Sequence, residues 1–181
     1  GDKKGTLKVL KTLGIRHIYC PYILPENRPT DSKGWKAFGK RLGKIGAFYR
    51  SEGYSFGWHN HDFEFVKLPD GKTPHEMIFK GAPLLDWEMD IAWVIRGGAD
   101  PIKLIKKYAG NITAAHVKDI APKGKNADED GWADVGHGTV DYKPIMAALK
   151  KTRIRHYVLE HDKPSDTKRF AERSFAAASK L

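Results

Sequence analysis

The sequence predicts an α/β fold built from parallel βα units. Five apolar, strand-like segments alternate with segments in which apolar residues recur every three or four positions, as in amphipathic helices. Four of the five strand-like segments end in a residue that could bind a metal or move a proton. No linker or repeat divides the 181 residues, so we expect a single domain over 1–181.

The first half of the chain alternates helix and strand between clear stop signals. Gly14 is a fitting helix end, and Asp31 or Ser32 can cap the longest helix. The predicted elements, in order, are a helix at 6–13, a strand at 15–20, a proline-rich loop at 21–29, a helix at 32–52, a strand at 54–59, an extended segment at 63–68 and a helix at 74–80.

The second half continues the same alternation. Asp100 and Pro101 form a good helix start, and Asp141 or Tyr142 opens a later helix. The predicted elements, in order, are a strand at 83–90, a helix from 101, a strand at 111–117, a polar loop at 118–138, a helix from 142, a strand at 156–160 and a helix at 166–180. Five parallel strands fit an open sheet or part of a barrel.

Composition narrows the classes of partner. The formal net charge is +10, but the basic residues are spread along the chain, so we expect anionic small ligands and do not expect nucleic acid as the main partner. No apolar run is long enough to span a membrane. The single cysteine, Cys20, lies in an apolar run and reads as a core residue, which fits a reducing compartment.

Polar side chains end four of the predicted strands, namely His59, Asp90, His116 and Glu160. The carboxyl ends of parallel strands meet at one edge of the sheet, so these side chains are expected to converge. Two carboxylates with imidazoles suit a divalent cation such as Mn, Mg, Co or Zn. Taken singly, each residue also has a structural explanation as a hydrogen-bonded or capping group.

An ordered set of motifs resembles the sugar phosphate isomerase/epimerase family, part of the xylose isomerase-like TIM-barrel superfamily. The motifs are Gly-Trp-His-Asn-His-Asp-Phe-Glu-Phe at 57–65, Asp-Ile-Ala-Trp at 90–93, His-Val-Lys-Asp at 116–119, Val-Gly-His-Gly-Thr-Val-Asp-Tyr at 135–142 and Leu-Glu-His-Asp at 159–162. The resemblance implies a (β/α)8 barrel of which this chain covers about the last five βα units. It also implies that the first three strands are missing, so we expect an N-terminally truncated chain, the alternative being that something else completes the barrel.

The family binds one divalent metal through four residues, usually Glu, Asp, His and Glu. The resemblance therefore implies Asp90, His116 and Glu160 as metal ligands, with Glu160 also a catalytic carboxylate. The first Glu of the family pattern falls at or near His59. The fourth ligand and second catalytic group is then either His59 or Glu64.

Four further residues are implied as contacts to substrate: His61, Trp93, Lys118 and His137. Trp93 stands where many members have a histidine, and His137 stands where an acidic residue is common. Lys118 could orient an anionic group, or it could be a surface lysine paired with Asp119.

The implied activity is that of a metal-dependent isomerase or epimerase. It would remove the proton beside the carbonyl of a keto-sugar, through an enediolate that the metal stabilises. The alternative with the same residues is a dehydratase or lyase acting on a keto-polyol or keto-sugar. More distant alternatives are a non-catalytic sugar-binding module and an abasic-site endonuclease.

The expected cofactor is one divalent ion, namely manganese, magnesium, cobalt or zinc, and the expected partner is a carbohydrate. A homodimer is expected by analogy with the family. We expect a cytoplasmic protein, and a periplasmic one is the alternative because a leader could precede the first residue.

Overall fold

The structure is a computed structural model that describes residues 2–181. Its α-helices are α1 Lys3–Leu13, α2 Ser32–Ser51, α3 Pro74–Gly81, α4 Ile91–Arg96, α5 Pro101–Lys107, α6 Tyr142–Leu149 and α7 Thr167–Ala178. Its strands are β1 His17–Cys20, β2 Ser55–His59, β3 Asp86–Asp90, β4 Ile112–Val117, β5 Asp119–Ile120, β6 Trp132–Ala133 and β7 His156–Leu159.

The main sheet confirms the predicted parallel βα units. Its five strands lie in the order β1-β2-β3-β4-β7, and every neighbouring pair is parallel. Each strand therefore joins the edge left by the strand before it, which is the winding of a (β/α) barrel. The number of parallel strands is the number predicted.

The sheet is strongly curled. In a flat sheet, β1 and β7 would lie about 19 Å apart, because neighbouring strands are about 4.8 Å apart. Instead, the rings of His17 on β1 and His156 on β7 lie 5.1 Å apart between their centroids. The hydroxyls of Tyr19 on β1 and Thr113 on β4 are also in hydrogen-bond contact at 2.9 Å. The concave face of the sheet is thus a barrel interior.

Three local predictions were wrong or incomplete. The segment predicted as extended at 63–68 begins instead with a 3-10 helix, Phe63–Phe65. The apolar run after Asp90 forms the short helix α4, which was not predicted. The loop predicted at 118–138 contains an antiparallel pair of two-residue strands, β5 and β6. Tertiary contacts decide such short elements, because they carry no periodic pattern of their own.

The helix starts follow the capping chemistry of the sequence. Asp31 accepts a hydrogen bond from the backbone of Gly34 at 2.7 Å and caps α2. Thr73 and Glu76 form a reciprocal capping box at the start of α3. Gly14 ends α1, as predicted, and it does so in the left-handed conformation.

The core lies between the convex side of the sheet and helices α2 to α6. Trp58 and Trp87 point into it and are fully buried. Cys20, predicted as a core residue, is only half-buried at the end of β1. Among residues 2–181, no helix is both long and apolar enough to cross a membrane.

Helices α2 and α3 pack unusually closely, because glycines face the opposing backbone. A Cβ atom at Gly39 would overlap the carbonyl oxygen of Ile78, and one at Gly81 would overlap the carbonyl oxygen of Lys36. Neither obstacle is a flexible side chain. The two helices would have to move apart to admit a methyl group.

We therefore expect Gly39→Ala to lower the free energy of unfolding by about 1–3 kcal/mol, although alanine is the better helix former. Gly46→Ala in the same helix is the matched control, because its nearest neighbour would be the flexible Arg50 side chain at 3.3 Å. Urea denaturation of both variants checks the prediction. Equal stability of the two variants would show that the helices can separate without cost.

Candidate metal and substrate site

The predicted site residues gather at the carboxyl ends of the parallel strands. His59 ends β2, Asp90 ends β3, His116 lies in β4, and Glu160 follows β7 directly. Strand register places His59 beside Glu88, and Asp90 beside His116. The sequence-based expectation that strand ends bring these side chains together agrees with this arrangement.

Three of these side chains form a compact set of possible metal ligands. One donor atom each from His59, Asp90 and His116 can be chosen so that all three lie within 4.8 Å of one another. Asp90 is fully buried, and its Oδ1 accepts a hydrogen bond from the backbone of Trp93. Its Oδ2 has no hydrogen-bond partner among residues 2–181, and its charged neighbour is Lys118 Nζ at 3.5 Å. A buried carboxylate oxygen without a donor beside two imidazoles fits a cation.

Glu88 is a central residue that the sequence reasoning missed. Its Oε2 lies 3.1 Å from Nδ1 of His59 and 3.4 Å from Nε2 of His116. A signal was present, because Glu88 is two positions before Asp90 and so lies on the same face of β3. A carboxylate between two imidazoles either orients them or joins them in holding a cation.

Glu160 lies beside the compact set but makes other contacts. Its Oε2 accepts hydrogen bonds from Nδ1 of His116 at 2.6 Å and from Nζ of Lys118 at 3.1 Å. Its side chain keeps 35% of its surface exposed, against 0% for Asp90. Glu160 is therefore both anchored and accessible to a substrate.

Charge coupling keeps Glu160, Glu88 and His116 ionised, whereas burial raises the pKa of Asp90. Burial opposes ionisation of Glu160, but the hydrogen bond from His116 and the charge of Lys118 lower its pKa to about 2. Burial also opposes ionisation of Glu88, yet hydrogen bonds from His116 and His59 lower its pKa to about 2. Burial lowers the pKa of His116, but its hydrogen bonds with Glu160 and Glu88 outweigh this and raise the pKa to about 9. The two carboxylates and the imidazolium stabilise one another.

Lys118 is buried, which excludes the alternative of a surface lysine paired with Asp119. Its Nζ lies 2.8 Å from Asp162, 3.1 Å from Glu160 and 3.5 Å from Asp90. Burial lowers the pKa of Lys118, but these three carboxylates together raise it above the usual range. Asp162 is a second residue that the sequence reasoning missed.

Aromatic rings form one wall of the site. Nζ of Lys118 lies 4.6 Å from the ring centroid of Trp132 and 5.3 Å from that of Trp93. The Trp93 ring lies 5.4 Å from that of His61. Three of the predicted substrate residues, His61, Trp93 and Lys118, are thus close together. An apolar, aromatic wall beside charged groups suits the carbon face of a sugar.

The structure does not bring Glu64 into this group. Glu64 is fully buried, and its carboxylate accepts hydrogen bonds from Nε1 of Trp58 and from the backbone of His61, both at 2.9 Å. Trp58 lies on the opposite face of β2 from His59. Glu64, which is bonded to Trp58, therefore points away from the site and supports the loop after β2. Of the two candidates for the fourth ligand, the geometry favours His59.

His137 also lies apart from the group. Its side chain is exposed on the loop after β6, and none of its hydrogen bonds, ion pairs or ring contacts within 2–181 reaches the site. The loop itself is shaped by Asp119, which accepts hydrogen bonds from the backbones of Gly136, Gly138 and Val140.

Asn60 was also missed, and it ties two of the strand ends together. Its Oδ1 accepts hydrogen bonds from Nε1 of Trp87 at 2.8 Å and from the backbone of Asp90 at 2.9 Å. Its Nδ2 donates to the carbonyl oxygen of Asp90 at 3.1 Å. This buried amide fixes the position of Asp90 relative to His59.

Glu64 makes stability depend on pH. Burial raises its pKa from the usual 4.5 to about 8, against the hydrogen bonds from His61 and Trp58. Between these two values the folded chain keeps a proton that the unfolded chain releases. The contribution of Glu64 is therefore fully favourable below 4.5 and is lost as the pH rises to about 8.

We expect the free energy of unfolding to fall across this window, by up to about 1.4 kcal/mol per pH unit from this group. Glu64→Gln does not titrate and should show a shallower fall, whereas the exposed Glu172→Gln should match the parent chain. Urea denaturation at several pH values measures both slopes. Parallel slopes for Glu64→Gln and the parent would contradict the protonated state of Glu64.

The family model described as the xylose isomerase-like TIM barrel matches residues 3–178. An inosose dehydratase from Clostridium perfringens (strain 13 / Type A) is 23% identical over 150 residues, which cover 76% of this chain and 48% of that protein. An inosose dehydratase from Clostridium beijerinckii is 25% identical over 137 residues, covering 69% of this chain and 46% of that protein. The chain thus spans about half the length of the curated relatives it matches.

Solved structures share the fold. A sugar phosphate isomerase/epimerase from Parabacteroides distasonis ATCC 8503 superposes with a TM-score of 0.78 at 19% identity, covering 97% of this chain and 60% of that chain. At this identity the likeness concerns the fold alone.

Proposed function

The chain belongs to the xylose isomerase-like TIM-barrel family, and from this premise we propose that it removes water from a keto-polyol or keto-sugar. The arrangement that carries the proposal is an ionised, accessible Glu160 beside the buried His59 and Asp90 and the partly buried His116. Isomerisation or epimerisation of a keto-sugar needs the same first step and is the second candidate. The inosose dehydratase relatives favour dehydration, although isomerisation was the main prediction from the sequence.

The donor set fits a divalent cation. His59, Asp90 and His116 would hold it, with the cation taking the place of one ring proton of His116, and the buried Oδ2 of Asp90 would gain the partner that it lacks among residues 2–181. Glu88 and Glu160 are the neighbouring carboxylates that could complete the set. When bound, such a cation would stabilise negative charge that develops on a carbonyl oxygen. Manganese, magnesium, cobalt and zinc all suit these ligands.

Glu160 is the proposed acid–base group. One of its oxygens is occupied by His116 and Lys118, and the exposed part of the carboxylate is available to take the proton from the carbon beside the carbonyl. The electron pair of that C–H bond forms the new C=C bond as the β-hydroxyl leaves. Glu160 then returns its proton to the departing oxygen, so that water is released and the carboxylate is regenerated.

The surrounding residues bind and orient the substrate. The ammonium of Lys118 is held in place by Asp162 and keeps Glu160 ionised. The rings of Trp93 and Trp132 would cover the carbon face of the sugar and exclude water from the reacting carbon. Burial, and then the charges of His59 and Lys118, lower the pKa of His61 to about 4, so His61 is neutral. A neutral imidazole can donate a hydrogen bond to one hydroxyl and accept a hydrogen bond from another.

The test uses the 181-residue chain, purified and then supplied separately with each of the four metals. Keto-inositols and common ketoses are incubated with it in D2O and the products are analysed by mass spectrometry. Dehydration gives a product lighter by one water. Deuterium uptake at the original mass would instead favour isomerisation or epimerisation. Neither change with any metal, in a chain shown to be folded, would overturn the catalytic proposal.

A further inference from the structure

A polar cavity lies at the opposite end of the sheet from the candidate site. We call it the arginine pocket, because its lining includes Arg16, Arg50, Arg153 and Arg155. His17 and Ser55, which start β1 and β2, also line it, so it lies at the amino ends of the strands. Its volume is about 560 Å³, within the range of small-molecule sites.

The charges of the pocket are unbalanced. Asp86 is the one carboxylate in its lining, and it already accepts a hydrogen bond from Arg153 at 3.3 Å. Arg50 donates to the carbonyl oxygen of Leu84. The guanidinium groups of Arg16 and Arg155 make no side-chain hydrogen bond or ion pair within residues 2–181. Two guanidinium groups are therefore available to a ligand.

Neighbouring groups do not neutralise this excess. The imidazole of His17 donates to or accepts from the Ser55 hydroxyl at 2.6 Å, and its ring packs against that of His156. Burial lowers the pKa of His17, and the nearby His156 and Arg155 lower it further. Burial is the larger cause, and the two cationic neighbours act in the same direction.

The curled sheet brings these arginines together from distant parts of the chain. Arg16 precedes β1, Arg50 lies in the last turn of α2, and Arg153 and Arg155 precede β7. Four guanidinium groups that converge on one cavity repel each other, and an anion with several oxygens would relieve this repulsion. Guanidinium groups bind phosphate oxygens through paired N–H donors, which suits a tetrahedral dianion better than a single carboxylate.

We propose that the arginine pocket binds a phosphate-bearing small molecule, with Arg16 and Arg155 as its principal donors. This site is separate from the metal and substrate site and does not depend on the proposed reaction. Its ligand class is defined by the phosphate group, and the pocket volume leaves space for a further organic part.

The test is calorimetric titration of the 181-residue chain with inorganic pyrophosphate at about physiological ionic strength. A chelator is present throughout, so that no metal bridges the anion to the acidic residues of the other site. We expect saturable binding of one anion per chain. The R16A/R155A variant should bind about tenfold more weakly or worse, because two charged hydrogen-bond donors are lost.

The matched control is K123A/K125A, which removes the same charge from two exposed lysines outside the pocket. It should retain the affinity of the parent chain. An equal loss in both variants would show general attraction to a basic surface and overturn the site, as would the absence of saturable binding. Should R16A/R155A fail to fold, R16K/R155K replaces it, because it keeps the charge and removes the forked donors. Weaker binding by R16K/R155K would support the two arginines as donors, and unchanged binding would overturn that assignment.

Discussion

His116→Ala is expected to lower the affinity of the chain for a divalent metal by about a hundredfold or more. His116 contacts Glu88 through one ring nitrogen and Glu160 through the other. Its removal would take away a proposed metal donor and would leave two carboxylates without their shared partner. Elemental analysis after dialysis and calorimetric titration with zinc or manganese measure the loss.

His137→Ala is the matched control for that experiment, because His137 is an exposed imidazole outside the site. It should bind metal as the parent chain does. Metal retained by both variants would mean that the His59, Asp90 and His116 cluster is a hydrogen-bonded network and no cation site. Circular dichroism of each variant separates loss of metal from loss of folding.

Glu160→Gln is expected to lower the turnover of a substrate by about a thousandfold, because an amide cannot take up the proton. Metal binding through His59, Asp90 and His116 should persist. The measurement is the initial rate of water loss, or of deuterium uptake if the product is an isomer, with metal content determined on the same sample.

Asp162→Asn gives the matched comparison for Glu160→Gln. Asp162 also bonds to Lys118, but no contact joins it to His116. We expect less than about a tenfold loss for Asp162→Asn, since only the orientation of Lys118 changes. Equal losses in the two variants would assign Glu160 to holding Lys118 and remove it as the acid–base group.

The repeating fold was readable from the sequence because each unit has its own local signal. The apolar spacing of α2 and its cap at Asp31 are set by residues within a few positions of each other. The order of strands then follows from the preference of βα units for adjacent, parallel placement. Helix α4 and the β5–β6 pair were missed because six and two residues are too few to show a period.

The site was predictable only where a residue ends a strand. His59, Asp90, His116 and Glu160 were found in this way. Glu88 was missed because it lies inside β3, where an acidic residue reads as facing solvent unless the curl of the sheet is known. Glu64 was included as a candidate because it is close to His59 in the sequence. The chain turns its side chain toward Trp58, and the sequence does not show this turn.

In the loop after β6, the backbone keeps its shape whatever side chain stands at the exposed position 137. Asp119 holds the backbone amides on either side of His137, and a Cβ atom at Gly138 would overlap the Asp119 carboxylate. The loop shape therefore depends on Asp119 and on the two glycines, Gly136 and Gly138. It does not depend on the side chain at the exposed position 137 between them. Mutation can vary that position without refolding the loop. Position 137 can therefore change during evolution at low cost in stability. The charged residues of the site cannot change so freely, because each stabilises the others.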